Sequence, residues 1–224
     1  MNETPKDLRL WRLPRGRHGL PRELVERSQR ERLLAAVVRV SATKGYEATS
    51  VADILEAAGV GRESFYELFD DKQACMLAAR QLLVEDLAEK VQAAYEGSSP
   101  WAERLREALS AALDWFAADP VAGRVVMLEL AAMGPISREV FQKEFSRFTH
   151  LVDEGFDGGS PQPEMPRATV LAVGAVFARI YDEVARSRTE ELPEMLPELT
   201  YEVLVPFLGE AEAREQQRQA AAGA

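Results

Sequence analysis

Gly61, Arg62, Glu63 and Ser64, with Tyr66 and Lys72 close behind, gather hydrogen-bonding side chains into one short stretch of the chain. An arginine fork or a carboxylate can address the edges of bases, while a lysine, a phenol or a hydroxyl suits a phosphate. Thr49 and Ser50 add two hydroxyls upstream, and Ser50 stands ahead of Asp53 at the spacing of a helix-capping box. Covalent chemistry finds no comparable set. Cys75 is the one cysteine, so an intrachain disulfide and a paired-cysteine metal site are excluded. His18 and His150 lie far apart in the sequence. There is no Ser/His/Asp set, metal cluster or glycine-rich phosphate loop. The expectation is binding rather than catalysis, with no cofactor and no metal.

These residues need helices to position them. Alanine, leucine, glutamate and arginine dominate the composition, strand-like alternation is nearly absent, and the chain reads as all-α. A first helix is expected from Pro21 to Lys44, with Leu33, Val37 and Val40 on one face and Gly45 as its stop. A second runs from Ser50 to Ala58 and turns at Gly59, and a third, Arg62 to Phe69, sets Phe65 and Phe69 on one face. Two short helices joined by a glycine turn behind a longer one form a helix-turn-helix. Six longer helices follow: Lys72 to Tyr95; one opened by Pro100; one from Pro120 to about Met133; Ser137 to Glu154; Arg167 to Arg186; and Pro193 to Leu208. That makes about nine in all. Asp157 to Pro163 is the clearest loop. The expected organisation is a basic flexible arm over 1–20, a helix-turn-helix domain over 21–71, a second helical domain over 72–209, and a polar, frayed tail over 210–224.

The 224 residues carry a net charge of −10, which at first argues against a polyanionic partner. The distribution says otherwise. Residues 1–80 hold 14 Lys and Arg against 12 Asp and Glu, whereas residues 81–224 hold 13 against 25. Only the N-terminal third suits nucleic acid. Its leading segment, with Arg12, Arg15 and Arg17 among proline and glycine, suits an extended path in a minor groove, and a tail with no part in binding stays open as the alternative. No apolar stretch follows the N-terminus, and the longest apolar run, Leu171 to Ala178, is too short to span a bilayer. A cytoplasmic protein with no membrane partner is expected.

The string from Thr49 to Lys72 resembles the TetR family of bacterial regulators. Members place Gly-Tyr, Thr-Ser/Thr-Val-x-Asp-Ile, Ala-Gly-Val and Phe-Tyr-x-x-Phe-x-x-Lys at these spacings. The matching residues are Gly45, Tyr46, Thr49 to Ile54, Ala58 to Val60, Phe65, Tyr66, Phe69 and Lys72. The resemblance implies an N-terminal three-helix helix-turn-helix domain and a C-terminal helical ligand-binding and dimerisation domain. It implies a transcriptional regulator that binds a double-stranded DNA operator. Gly61, Arg62, Glu63 and Ser64 then face the bases, and Thr49, Tyr66 and Lys72 approach the phosphates; Ser50 and, from the arm, Arg15 and Arg17 are further DNA-binding candidates. Three departures stand out: Gly61 replaces the usual serine cap, Glu63 brings a carboxylate to the bases, and Leu68 replaces a backbone-contacting histidine or tyrosine.

For the C-terminal part the resemblance implies an effector pocket and a homodimer built by the last two helices, the eighth and ninth. Candidate pocket residues are Trp101, Trp115, Phe116, Met127, Phe141, Phe145, Phe177 and Tyr181, with Phe148 beside them, and they suggest a small hydrophobic effector. Asp114 and Glu129 fall within apolar stretches and suit a cationic one. The expected function is a repressor released from a palindromic operator by that effector. A regulator with no effector, whose pocket its own side chains fill, stays open, as does a helical small-molecule or lipid carrier.

Overall fold

In the computed structural model, which describes residues 21–153 and 165–223, ten α-helices and no strand occur among the described residues. They are α1 (Arg22–Lys44), α2 (Val51–Ala58), α3 (Arg62–Leu68), α4 (Lys72–Tyr95), α5 (Trp101–Ala118), α6 (Pro120–Arg124), α7 (Ile136–Asp153), α8 (Met165–Ala185), α9 (Leu196–Leu208) and α10 (Glu210–Gly223). The all-α class expected from composition is what the structure shows. The chain divides into two compact units, Met1–Leu82 and Leu83–Ala224, with the division inside α4. The arm over 1–20 and the loop Asp157 to Pro163 lie outside the described residues.

Local chemistry sets the helix ends of the first unit. Ser50 accepts the Asp53 N–H while the Asp53 carboxylate accepts the Ser50 N–H, completing the capping box that starts α2. Gly59 ends α2 in the left-handed conformation, φ 61° and ψ 38°, where a side chain would be strained. Its N–H returns to the carbonyls of Leu55 and Glu56. Asp71 caps α4 by accepting the Ala74 N–H at 2.7 Å. Leu33, Ala36 and Val37 of α1, Ile54 of α2, Phe65 and Phe69 of α3, and Cys75 and Met76 of α4 are buried. Burying Phe65 completely stabilises this arrangement by about 1.5–3 kcal/mol.

In the second unit, Val84, Leu87 and Val91 of α4 join Leu105, Leu113 and Phe116 of α5, Val173 and Ile180 of α8, and Leu199 and Leu204 of α9 in one core. Asp119 accepts the Ala122 N–H at 2.9 Å, and Pro120 opens α6 at a position that needs no donor.

Two expectations are corrected. The sixth helix does not run unbroken to Met133. After Arg124 the backbone takes a π-helical turn, Val125–Glu129, then a 3-10 turn, Ala131–Met133. A π turn stacks residues five apart, and it brings Arg124 Nε to 3.3 Å from Oε1 of the buried Glu129. The tail does not fray either. It forms α10, which packs against α9 and α5 and buries Ala213, Gln216 and Ala220 along one face. Arg106 of α5 donates to Gln216 Oε1 at 2.7 Å and to Gln219 Oε1 at 2.8 Å.

Candidate nucleic-acid interface

α3 has two unlike faces. Phe65 and Phe69 face inward, their rings 5.9 Å apart, and Arg30 of α1 lies 4.7 Å over the Phe69 ring. Gly61, Arg62, Glu63 and Glu67 are exposed, Ser64 is half-buried, and Tyr66 keeps 50% of its surface in solvent. The Tyr66 ring stands edge-on to Phe65 at 5.3 Å, which leaves its hydroxyl end outward of the core. The sequence-expected base-facing residues therefore share one accessible helix. Gly61 supplies no side-chain cap, so the first amides of α3 are left to solvent or to an anion.

α1 steadies the turn into α3. Arg32 Nη1 points at the carbonyls of Ala58 and Gly59, 3.4 Å from each, and Gln29 Nε2 lies 3.4 Å from Ser64 Oγ. Sequence reasoning missed both, because their partners are distant in the chain.

Three of the residues expected at the DNA, Thr49, Ser50 and Lys72, also have partners within the protein. Thr49 is 2% exposed, and its hydroxyl donates to the Gly45 carbonyl at 2.8 Å while receiving Ser41 Oγ at 3.3 Å. Its hydroxyl is engaged inside the turn between α1 and α2. Ser50 Oγ is committed to the Asp53 capping box. Lys72 Nζ donates to the carbonyls of Tyr46 and Thr49, both at 2.8 Å, and rests 4.1 Å from the centre of the Tyr46 ring. Of the four, Tyr66 presents the largest exposed side chain, at 50%, and Ser50 is exposed beside its capping box. Arg15 and Arg17 lie outside the described residues.

The local electrostatics are mixed. Hydrogen bonds from Lys44 and then Ser50 hold the Asp53 carboxyl well below the usual carboxylate range. Burial pushes the Tyr46 phenol up, and the Asp71 carboxylate adds to the shift. Around the accessible face Glu63, Glu67, Asp70 and Asp71 accompany Arg62. Such a face reads hydrogen-bond patterns better than it attracts a polyanion, so attraction must come from other segments.

The second unit separates its aromatic candidates. Trp115 is buried and donates to Asp86 Oδ2 at 2.6 Å, and Trp101 donates to the Leu151 carbonyl at 2.9 Å, which Tyr95 also reaches at 3.1 Å. Phe116 and Met127 lie in the core. Phe141 and Phe145 of α7 and Phe177 of α8 do meet, in a triangle with ring centres 5.4–5.8 Å apart, and Phe141 is 40% exposed. Tyr181 is 49% exposed. A cleft of about 450 Å³ opens between α4 and α7, floored by Ala88, Val91, Phe148 and Leu151 and rimmed by Glu85, Glu89, Arg147 and His150. None of the eight pocket candidates lines it. Its rim sets two carboxylates of α4 against Arg147 and His150 of α7, a grouping no single segment discloses. Asp114 is exposed, whereas Glu129 is buried against Arg124. No helix among the described residues is long and apolar enough to cross a membrane.

Residues 33–79 match the family model for bacterial regulatory proteins, tetR family. The chain is 28% identical over 123 residues to the HTH-type transcriptional regulator CymR of Pseudomonas putida, covering 55% of this chain and 61% of that protein. It is 31% identical over 107 residues to the HTH-type transcriptional activator FasR of Mycolicibacterium smegmatis, covering 48% and 47%. It therefore spans less than two thirds of either curated relative. The fold is similar to that of the transcriptional regulator FadR from Bacillus subtilis solved in complex with stearoyl-CoA. There the TM-score is 0.67 at 18% identity, over 80% of this chain and 97% of that one.

Proposed function

We propose that this chain, which belongs to the TetR family of bacterial transcriptional regulators, represses transcription from a palindromic operator and lets go when an effector binds its second unit. DNA binding itself is the family's property, and these regulators are not enzymes. The observation that carries the reading is the accessible face of α3, where Gly61, Arg62, Glu63 and Tyr66 are offered by a helix whose other face is locked by Phe65 and Phe69. A major groove admits one helix, and the side chains at its start then reach base edges. Two copies joined through α8 and α9, the pair expected as the interface, would set two such helices on half-sites about one helical turn apart. The arm supplies Arg12, Arg15 and Arg17 to a flanking minor groove.

For the effector, the triangle of Phe141, Phe145 and Phe177 favours an apolar ligand. The stearoyl-CoA held by the structurally similar FadR supports a long-chain acyl thioester as the first compound to try. A second reading, activation, is favoured by the likeness to FasR, an activator.

Selection of bound DNA from a random pool tests the first part, and a dyad-symmetric consensus is expected. Titrating stearoyl-CoA into the complex should then release the DNA, and transcription from a promoter carrying the site should rise. Transcription that falls as DNA is released would favour activation. A consensus without dyad symmetry would count against the dimeric reading.

A further inference from the structure

We propose that Arg32 of α1 is a specificity-positioning residue: it holds the turn between α2 and α3 and so fixes the angle at which α3 presents Gly61, Arg62, Glu63 and Ser64. The inference rests on the reading of α3 as the DNA-recognising helix. Only Gly59, Val60 and Gly61 separate the last residue of α2 from the first of α3. The first amides of that turn are used locally, the Gly59 N–H on the carbonyls of Leu55 and Glu56 and the Val60 N–H on that of Leu55. The carbonyls of Ala58 and Gly59 receive Arg32 Nη1, 3.4 Å from each. These bonds are long, yet their donor is a cation set at the C-terminal end of α2, where the helix dipole gathers negative potential.

The holder is rigid and the held segment is not. Arg32 Nε donates to the Ser28 carbonyl one turn back in α1 at 3.4 Å, and the next residue, Leu33, is fully buried. Two of the three turn residues are glycines, which give a backbone little stiffness of its own. A side-chain carbon at Gly59 would touch Arg32 Nη1 at 3.9 Å, so the guanidinium lies directly over the left-handed residue that reverses the chain. Three residues before Arg32, on the same face of α1, Gln29 Nε2 lies 3.4 Å from Ser64 Oγ. α1 thus meets the turn with one side chain and the first part of α3 with another. Phe65 and Phe69 fix how deeply α3 sits in the core, and Arg32 fixes how it enters. Base readout depends on that angle, because a donor pair a fraction of an ångström out of place no longer fits its base edge.

The test uses the full-length protein and the DNA sequence that the wild type selects from a random pool. Arg32→Met keeps the stem and removes the cation. It should weaken binding to the selected sequence by about tenfold and relax the preference at several neighbouring base positions together. Binding to unrelated duplex and the slope of log affinity against log salt should stay unchanged, since no phosphate contact is lost. Arg32→Lys returns a cation to the end of α2 and should recover most of the loss. Arg32→Gln keeps a neutral donor, should relax the preference part of the way, and decides the matter if Arg32→Met does not fold. An equal loss on selected and unrelated DNA, with the slope reduced by about one unit, would make Arg32 a phosphate contact and overturn the proposal. A lowered melting temperature with base preference intact would reduce Arg32 to a support of the fold and overturn it as well. Failure of the wild-type protein to select any DNA would sink the reading of α3 together with this one, whereas wild-type selection with Arg32→Met equally selective would sink this one alone.

Discussion

Lys44 Nζ, in the last turn of α1, lies 2.6 Å from Oδ2 of Asp53, the same carboxylate oxygen that accepts the Ser50 N–H at 2.7 Å. One carboxylate therefore caps α2 and ties it to α1. Because these partners favour the ionised form, the folded-state pKa of Asp53 is depressed below the unfolded value of about 3.9. A group of that kind stabilises the fold above its unfolded pKa, and the contribution fades as pH falls through that value toward the folded one. Asp53→Asn should melt below the wild type at pH 7, and the difference should shrink steadily below about pH 4. Thermal melts of both proteins across that range check it. A constant difference down to pH 2.5 would remove Asp53 from this role.

The accessible face of α3 makes separable forecasts for separate side chains. Arg62→Ala should cost about 1–3 kcal/mol on the preferred sequence and relax the preference at one base position. Glu63→Ala should alter which base is preferred there, since a carboxylate accepts from cytosine and repels backbone phosphates. Tyr66→Phe keeps the ring against Phe65 and loses the hydroxyl, so it should weaken binding alike on every sequence. Binding curves on a panel of single-base variants sort the three. A uniform loss from Arg62→Ala would move that residue to the backbone.

Cys75 is fully buried and its thiol is pushed up to about 12 by burial. The thiolate, the reactive form, is therefore scarce in the folded protein at pH 8. Labelling with a disulfide reagent should be slow in native buffer and complete in denaturant. Because the folded thiol keeps its proton where the unfolded one begins to lose it, Cys75 stabilises the fold below about pH 8.5, and this contribution fades as pH rises toward 12. Cys75→Ser should show a flatter loss of stability over that alkaline range.

How much of this was readable in advance follows from the distance between partners in the chain. The Ser50–Asp53 box and the Phe65–Phe69 face involve residues three and four apart, and their residue types announce them. The family signature between Gly45 and Lys72 was equally local. The partners of Lys72 lie 26 and 23 residues upstream, and they are carbonyls, which every residue possesses. Nothing in a lysine's identity tells whether it meets a phosphate or a turn. Thr49 poses the same question, its hydroxyl serving Gly45 as readily as it would serve DNA. The π turn after Arg124 has no local sign, since no proline or glycine interrupts Val125–Glu129 and the Arg124–Glu129 pair shows only in the fold.

The helix at the C-terminal end shows the remaining blind spot and supplies the sharpest test of it. Its buried face carries Ala213, Gln216 and Ala220, a helical spacing occupied by small and polar residues that reads as solvent-facing. What makes Gln216 tolerable inside is Arg106 on α5, whose guanidinium meets its side-chain carbonyl at 2.7 Å. Removing the donor while keeping the buried acceptor is the costly case, and removing both together is much less so. Arg106→Met should therefore lower stability by about 2 kcal/mol, the range for one buried polar group left unpaired. Arg106→Met combined with Gln216→Leu should recover most of that loss, because two apolar side chains then meet where a donor and acceptor did. Urea unfolding of the three proteins, followed by the second unit's Trp101 and Trp115 fluorescence, measures both steps. If Arg106→Met left the midpoint unchanged, α10 would contribute nothing to the packing of α5 and α9, and the segment would behave as the loose polar tail its composition suggests.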